Sequence, residues 1–242
     1  KIVGFNAHAV VQATNKPLEF IQDTEFAKNI LSNDGEAVIL NKKSTKGVFL
    51  KGYLNNDFRN LQIVNNDSFL GSKNLKGNTI SIGRELSFNL NVGIDDTITI
   101  MSPVGIQTLV GSLPKQEIFK IVSVFDSGLS DYNENIAYIN LKTLESFFNK
   151  NREERFVEFY FKNPKNIEFH KKNLIELFPD AIVYTWSDMN KSLFSALKVE
   201  RNVMFIILSL IIIVAAFNII SGLTILVKNK TRDIGILKSI GV

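Results

Sequence analysis

The chain has 242 residues, 45% of them hydrophobic, and a net charge of +4, which allows one or two domains with real cores. Three of those four charges belong to residues 228–242, where Lys228, Lys230, Arg232 and Lys238 outweigh Asp233; the nearly neutral remainder excludes a nucleic-acid-binding face. With no cysteine, disulfides and thiolate metal sites are excluded and the redox compartment is unmarked.

Residues Lys1–Gln12 (KIVGFNAHAVVQ) are apolar and rich in Val, which predicts a strand. A helix is expected over Thr14–Leu31, with Phe20, Ile21, Phe26, Ile30 and Leu31 roughly on one face. Asn33-Asp34-Gly35 reads as a turn into a strand at Glu36–Asn41. The same grammar recurs downstream. Arg155–Lys162 alternates like a strand, Asn166–Phe178 reads as a helix and Ala181–Trp186 as a strand. Together these two units predict one split α+β lobe.

Between them, from about Ser44 to Lys150, the spacing predicts a mostly β lobe. GVFLKGYL, NTISIG, DTITIM, EIFKIVSVF and NIAYIN are bounded by Gly, Asn, Asp and Pro, as strands are. Arg84–Leu90 and Leu141–Asn149 read as short helices, and Gly93–Asp96 as a turn. Ser102–Lys115 (SPVGIQTLVGSLPK) reads as a loop bounded by Pro103 and Pro114 and carrying Val104, Ile106, Leu109, Val110 and Leu113. A loop this apolar is either buried or made to touch something.

Residues Asn190–Asn202 look helical and run without a breaker into Val203–Val227, 25 residues free of charge, 18 of them Val, Ile, Leu, Met or Phe. Such a helix is about 38 Å long against a hydrocarbon core of about 30 Å. The run lies too near the C-terminus for a signal peptide. It is a membrane span, and within it Ala215, Asn218, Ser221 and Gly222 line one face suited to close helix approach. Lipid-facing indifference is the alternative for that face. In the tail, Thr231 is expected to cap a short amphipathic helix with Ile234, Leu237 and Ile240 on one side; resting on headgroups is its plainer role. A slight excess of basic residues places the tail in the cytoplasm and the large region outside. The start at Lys1 and the end just past the span predict a piece of a longer protein.

The fold class is therefore α+β. The predicted division is a split membrane-proximal lobe (1–43 and 151–189), an inserted β-rich lobe (44–150), a stalk (190–202), the span (203–227) and a cytoplasmic segment (228–242).

No phosphate-binding loop, nucleophile elbow or zinc helix motif occurs. His8 and His170 stand alone and read as structural or solvent-facing, and Asp95-Asp96 and Glu153-Glu154 read as solvated pairs. No active site, cofactor site or metal site is predicted.

Residues 215–242 (AAFNIISGLTILVKNKTRDIGILKSIGV) resemble the second membrane helix and following coupling segment of permease subunits of lipoprotein-releasing ABC transporters, relatives of macrolide-exporter and cell-division permeases. The Thr231–Gly241 run is shared across that wider superfamily. KIVGFNAHAVVQ is similar to the strand after the first membrane helix of the lipoprotein-releasing subunits. Residues 80–103 (ISIGRELSFNLNVGIDDTITIMSP) resemble their Gly-x-x-Leu…Gly-Asp-x-Val-x-x-x-x-Pro segment, with the Gly-Asp pair spaced out as Gly93-Ile94-Asp95. The likeness covers nearly the whole chain.

It implies an inner-membrane permease with a two-part periplasmic region. It also implies four partners: a cytoplasmic ATPase, a second permease subunit, a periplasmic lipoprotein chaperone and lipoprotein cargo. It assigns Pro103, Val104, Gly105, Ile106, Leu109, Val110, Leu113 and Pro114 to a chaperone-capturing hook. Thr231, Arg232, Asp233, Ile234, Leu237, Lys238 and Ile240 fall in the ATPase-coupling segment. One membrane helix is expected before Lys1 and two after Val242. Whether the chain is the hook-bearing subunit, its hookless partner or a hybrid stays open. So do two rival readings, an antibiotic or peptide exporter of the same superfamily and a membrane-anchored receptor.

Overall fold

A computed structural model describes residues 6–13, 26–41, 44–108 and 111–241. They fall into two units, residues 1–189 and 190–242.

The first unit runs β1 (Ala9–Ala13), β2 (Phe26–Asn41), β3 (Ser44–Tyr53), α1 (Asn55–Arg59), β4 (Leu70–Gly71), β5 (Thr79–Gly83), α2 (Arg84–Leu90), β6 (Thr97–Thr108) and β7 (Gly111–Phe125). It continues with α3 (Ser130–Asn135), β8 (Ile136–Asn140), α4 (Leu141–Phe148), β9 (Phe156–Phe161), α5 (Ile167–Leu177), β10 (Ala181–Thr185) and α6 (Trp186–Met189). The second unit is one helix, α7 (Lys191–Ser239).

Six strands close on themselves in the order β2-β3-β8-β5-β7-β6 and back to β2. Closure removes the free edges that a sheet this small would otherwise present. Alternation turns Ala37, Ile39, Val48, Leu50, Ile80, Ile82, Ile98, Ile100, Phe119 and Ile121 into one buried cluster, completed by Leu86 and Leu90 of α2 and Leu144 and Phe147 of α4. A second buried layer lies on the other side of these strands. There Phe58, Leu61, Ile63, Val64 and Leu75, from the stretch that follows β3, pack with Tyr53, Phe125 and Tyr138.

β2 is longer than the ring needs. Its first half, Phe26–Ser32, pairs instead with β9, which pairs with β1, which pairs with β10. Ile167 and Leu174 of α5 pack with Val11, Phe159 and Val183 of this smaller sheet. His8 is buried at its edge, where the Phe161 N–H donates to its Nδ1 at 2.8 Å. The His170 ring stacks on Phe161 with centroids 4.1 Å apart.

Several expectations are corrected. The helix expected over Thr14–Leu31 is strand at Phe26–Leu31, and 14–25 lie outside the described residues, Phe20 and Ile21 among them. The spacing of Phe26, Ile30 and Leu31 suits either structure, and the pairing with β9, distant in sequence, decides it. The Asn33-Asp34-Gly35 turn is instead the middle of β2. Gly35 is there for close approach, because a Cβ would come within 2.7 Å of the Phe148 ring. In Lys1–Gln12, residues 1–5 lie outside the described residues, and the strand begins only at Ala9. The Ser102–Lys115 loop is mostly paired strand, belonging to β6 and β7.

In the second unit, α7 is continuous for 49 residues, about 74 Å at the usual rise. None of its residues is buried, and its most apolar window has a mean hydropathy of 3.0. Among the described residues it is the one helix long and apolar enough to cross a membrane. Thr231 does not cap a new helix. Its Oγ1 donates back to the Val227 carbonyl at 2.8 Å inside α7, as Thr224 does to Ile220 at 2.7 Å. No proline interrupts Lys228–Lys230, so the tail stays in the same helix.

Candidate interaction sites

β6 leaves β2 after Met101, and its pairing with β7 shifts between Met101 and Gly105. Beyond the shift, Gly105 pairs with Pro114, Ile106 with Leu113, Gln107 with Ser112 and Thr108 with Gly111. Among the described residues these rungs have no third strand, so the segment is a two-stranded ribbon that extends the β6–β7 hairpin beyond its pairing with the ring. Leu113 is 63% exposed, and Pro103 and Pro114 are exposed as well. Val104 lies in the shifted stretch; Leu109 and Val110 lie outside the described residues.

A lone ribbon is marginal in water, and this one is tied down at its base. Lys115 Nζ donates to the Ser146 carbonyl at 2.9 Å, sits 2.9 Å from Glu117 and lies 5.5 Å over the Phe147 ring. Beside the base, Glu36, Val38, Gly47, Phe49, Pro103 and Asn135 line an open cleft of about 390 Å³ on the outer face of the ring. Ile118, 65% exposed, is on that outer face of β7, since its neighbour Phe119 points into the core.

On α7, Ala215, Asn218, Ser221 and Gly222 are exposed along one side. Ile234, Leu237 and Ile240 are exposed near its end, as are Thr231, Arg232, Asp233 and Lys238.

Two polar clusters were missed in the sequence. The first surrounds Glu158 of β9, 1% exposed. Tyr53 donates to both its carboxylate oxygens at 3.0 Å, Tyr160 to Oε2 at 2.9 Å, and Lys51 Nζ stands 3.5 Å away. Burial is the largest influence on the Lys51 ammonium and would pull it down, but the charges of Glu158, Tyr132 and Asp34 and the hydrogen bond to Glu158 together outweigh it and hold the ammonium above its ordinary range. Burial, then the charge of Glu158, pushes the Tyr53 phenol well up. Nearby, Lys150 Nζ donates to the Asp34 carbonyl at 2.6 Å and to Asn33 Oδ1 at 3.2 Å. The legible signal was one acid in an otherwise apolar strand, FVEFYF. Such a group survives burial only with partners.

The second cluster is centred on Asp188. Its Oδ2 accepts from Thr185 N at 2.9 Å, Thr185 Oγ1 at 2.7 Å and Lys171 Nζ at 2.8 Å. Burial would raise this carboxyl, but the hydrogen bonds from Lys171 and Thr185 bring it down to about 2. The spacing of Thr185 and Asp188 is that of a reciprocal cap, and Asp188 N returns a bond to Thr185 Oγ1 at 3.3 Å. Among the described residues no three His, Cys, Asp or Glu side chains converge on a possible metal position.

No family model matches the chain. Over 228 residues, 90% of its length, it is 28% identical to the lipoprotein-releasing system transmembrane protein LolC of Neisseria meningitidis serogroup B. Along its full length it is 24% identical to the LolC of Xylella fastidiosa. The chain spans 55% and 61% of those relatives' own lengths. Its fold is similar to that of the periplasmic region of MacB from Actinobacillus actinomycetemcomitans. The TM-score is 0.47 at 9% identity, over 80% of this chain and 94% of that one.

Proposed function

We propose that this chain, related along nearly its whole length to LolC transmembrane proteins, is part of a permease subunit of an ABC transporter. That transporter extracts lipoproteins from the inner membrane and hands them to a periplasmic carrier. The observation that carries the reading is the ribbon at Gly105–Thr108 and Gly111–Pro114, a pair of strands beyond the ring's ladder with an exposed Leu113 and an anchored base. A hairpin extension carrying an exposed Leu113 suits capture of a soluble partner. We assign Pro103, Val104, Gly105, Ile106, Leu109, Val110, Leu113 and Pro114 to that capture.

The exposed Ile234, Leu237 and Ile240, with Thr231, Arg232, Asp233 and Lys238 among them, would seat the tail of α7 on a cytoplasmic ATPase. Ala215, Asn218, Ser221 and Gly222 would meet another membrane helix of the same assembly, in which a second permease subunit takes part. The chain's own residues supply no reaction. Removing an acyl chain from lipid costs about 0.8 kcal/mol per CH₂, so the energy comes from ATP hydrolysed elsewhere, and an unbroken α7 suits passage of that motion.

The test is to co-purify the full-length protein and ask whether an ATPase and a soluble lipoprotein carrier accompany it. Shortening Pro103–Pro114 is expected to abolish carrier capture while the thermal midpoint holds; undiminished capture rejects the ribbon's role. Ile234→Asp is expected to uncouple ATP hydrolysis from lipoprotein release, and normal coupled turnover rejects the tail's role.

A further inference from the structure

Among the described residues the ring and the small sheet share one strand, β2. β9 pairs with Phe26–Ser32 of β2 and β3 pairs with Ser32–Asn41, so only Ser32 has both neighbours. On the β9 side, β6 takes over at Val38. Residues Asn33–Ala37 therefore have no ladder partner on that side among the described residues. Among the described residues, every ladder bond linking the β10-β1-β9 sheet to the closed ring passes through this stretch of backbone.

Of the neck's own side chains, Asn33 holds the Asp34 N–H through its Oδ1 at 2.9 Å. Ser32 Oγ and Asn33 Nδ2 are buried there without a hydrogen-bond partner, and orphans of this kind are uncommon in a settled core. Three contacts cross it: Arg155, just before β9, donates from Nε and Nη2 to Glu145 of α4 at 2.5 and 2.7 Å, and two more come from Glu158 and Lys150. Glu158 of β9 reaches Tyr53 at 3.0 Å and Lys51 at 3.5 Å, both on β3, a strand with which β9 does not pair. Lys150 closes the other side onto Asn33 and Asp34.

We propose that the Ser32–Gly35 stretch of β2 is a hinge held closed by Glu158, which pins the small sheet to the ring through Lys51 and Tyr53. Pinned, sheet and ring turn as one body and the ribbon's direction follows the sheet. Unpinned, the strand bends at a point where no second ladder resists. Glu158 is a positioning residue: it touches no cargo and acts through β3. The consequence for carrier capture rests on the permease reading, whereas the hinge does not.

The experiment is hydrogen exchange by mass spectrometry on the full chain in lipid nanodiscs, with no ATPase, carrier or cargo, so a failure here is separable from a failure of that reading. Glu158→Gln is expected to raise exchange about tenfold or more in peptides covering 28–34 and 156–161, leaving 79–83 and 136–140 within about twofold. Lys46→Gln, which breaks the 2.5 Å pair with Glu134 on the ring alone, is expected to leave the neck unchanged. In Glu158→Gln with Lys51→Met, no buried cation is left unpaired. The thermal midpoint is therefore expected to recover while exchange at the neck stays raised, a split that a merely stabilising ion pair would not produce. No rise at the neck, an equal rise throughout the ring, or a return of neck exchange to the wild-type rate in the double variant overturns the hinge.

Discussion

The base and the tip of the β6–β7 hairpin are built from the same two strands and meet opposite surroundings. At the base, Ile98, Ile100, Phe119 and Ile121 point into a closed ring and are buried. At the tip, Gly105–Thr108 and Gly111–Pro114 pair only with each other, and Leu113 stands in solvent. An apolar side chain in a strand is core only where a second layer backs it. Where none does, the same residue type is available for contact. Changes at the base should thus cost folding, and changes at the tip should cost only binding.

The largest effect is expected from Phe119→Ala, which empties a fully buried aromatic position. Urea denaturation of the detergent-solubilised chain should show a loss of about 3–5 kcal/mol. Next is Gly83→Ala, whose Cβ would be driven into the Asn133 backbone carbonyl, for a loss of about 1–3 kcal/mol in the same assay. Gly47→Ala has nothing within 4 Å and should change stability by no more than about 0.5 kcal/mol, which sharpens the contrast between ring interior and outer face.

Acid unfolding tests a site away from the hairpin. The folded-state pKa of Asp188 is depressed from 3.8 to about 2. Its contribution is therefore complete above the unfolded value, and it is lost as pH falls from about 4 toward 2. The effect is modest, because the side chain is 36% exposed. Asp188→Asn should flatten that part of the pH–stability curve, read by circular dichroism. The smallest stability effect belongs to the tip: Leu113→Ser should stay within about 0.5 kcal/mol of the parent while carrier capture weakens. A folding loss as large as that of Phe119→Ala would break the comparison.

Much of the element list was legible because it depends on short-range chemistry. Arg84–Leu90 is a short helix as expected, and Phe156–Phe161 and Ala181–Thr185 are the strands that their apolar patterns predict. Phe26–Gly35 was misread because nothing within ten residues distinguishes a helix face from a strand that finds β9 more than a hundred residues away. The Pro103–Pro114 stretch is marked by its apolar residues between two prolines, a pattern that reads as a loop, either buried or in contact with something. Register with β7 makes it a ribbon. Glu158 went unremarked because its partners, Lys51 and Tyr53, are distant in sequence.

The amino-acid sequence by itself determined the α+β class and the long apolar helix, since composition and periodicity act over one or two turns and need no partner. It also marked the stretch between Pro103 and Pro114 as unusually apolar, without deciding between burial and contact. Only the tertiary structure decided that six strands close into a ring, that β2 is shared between ring and small sheet, and that an acid is buried where they meet. Those outcomes depend on which distant strands pair, and pairing is chosen by the whole core at once rather than by any local run of residues.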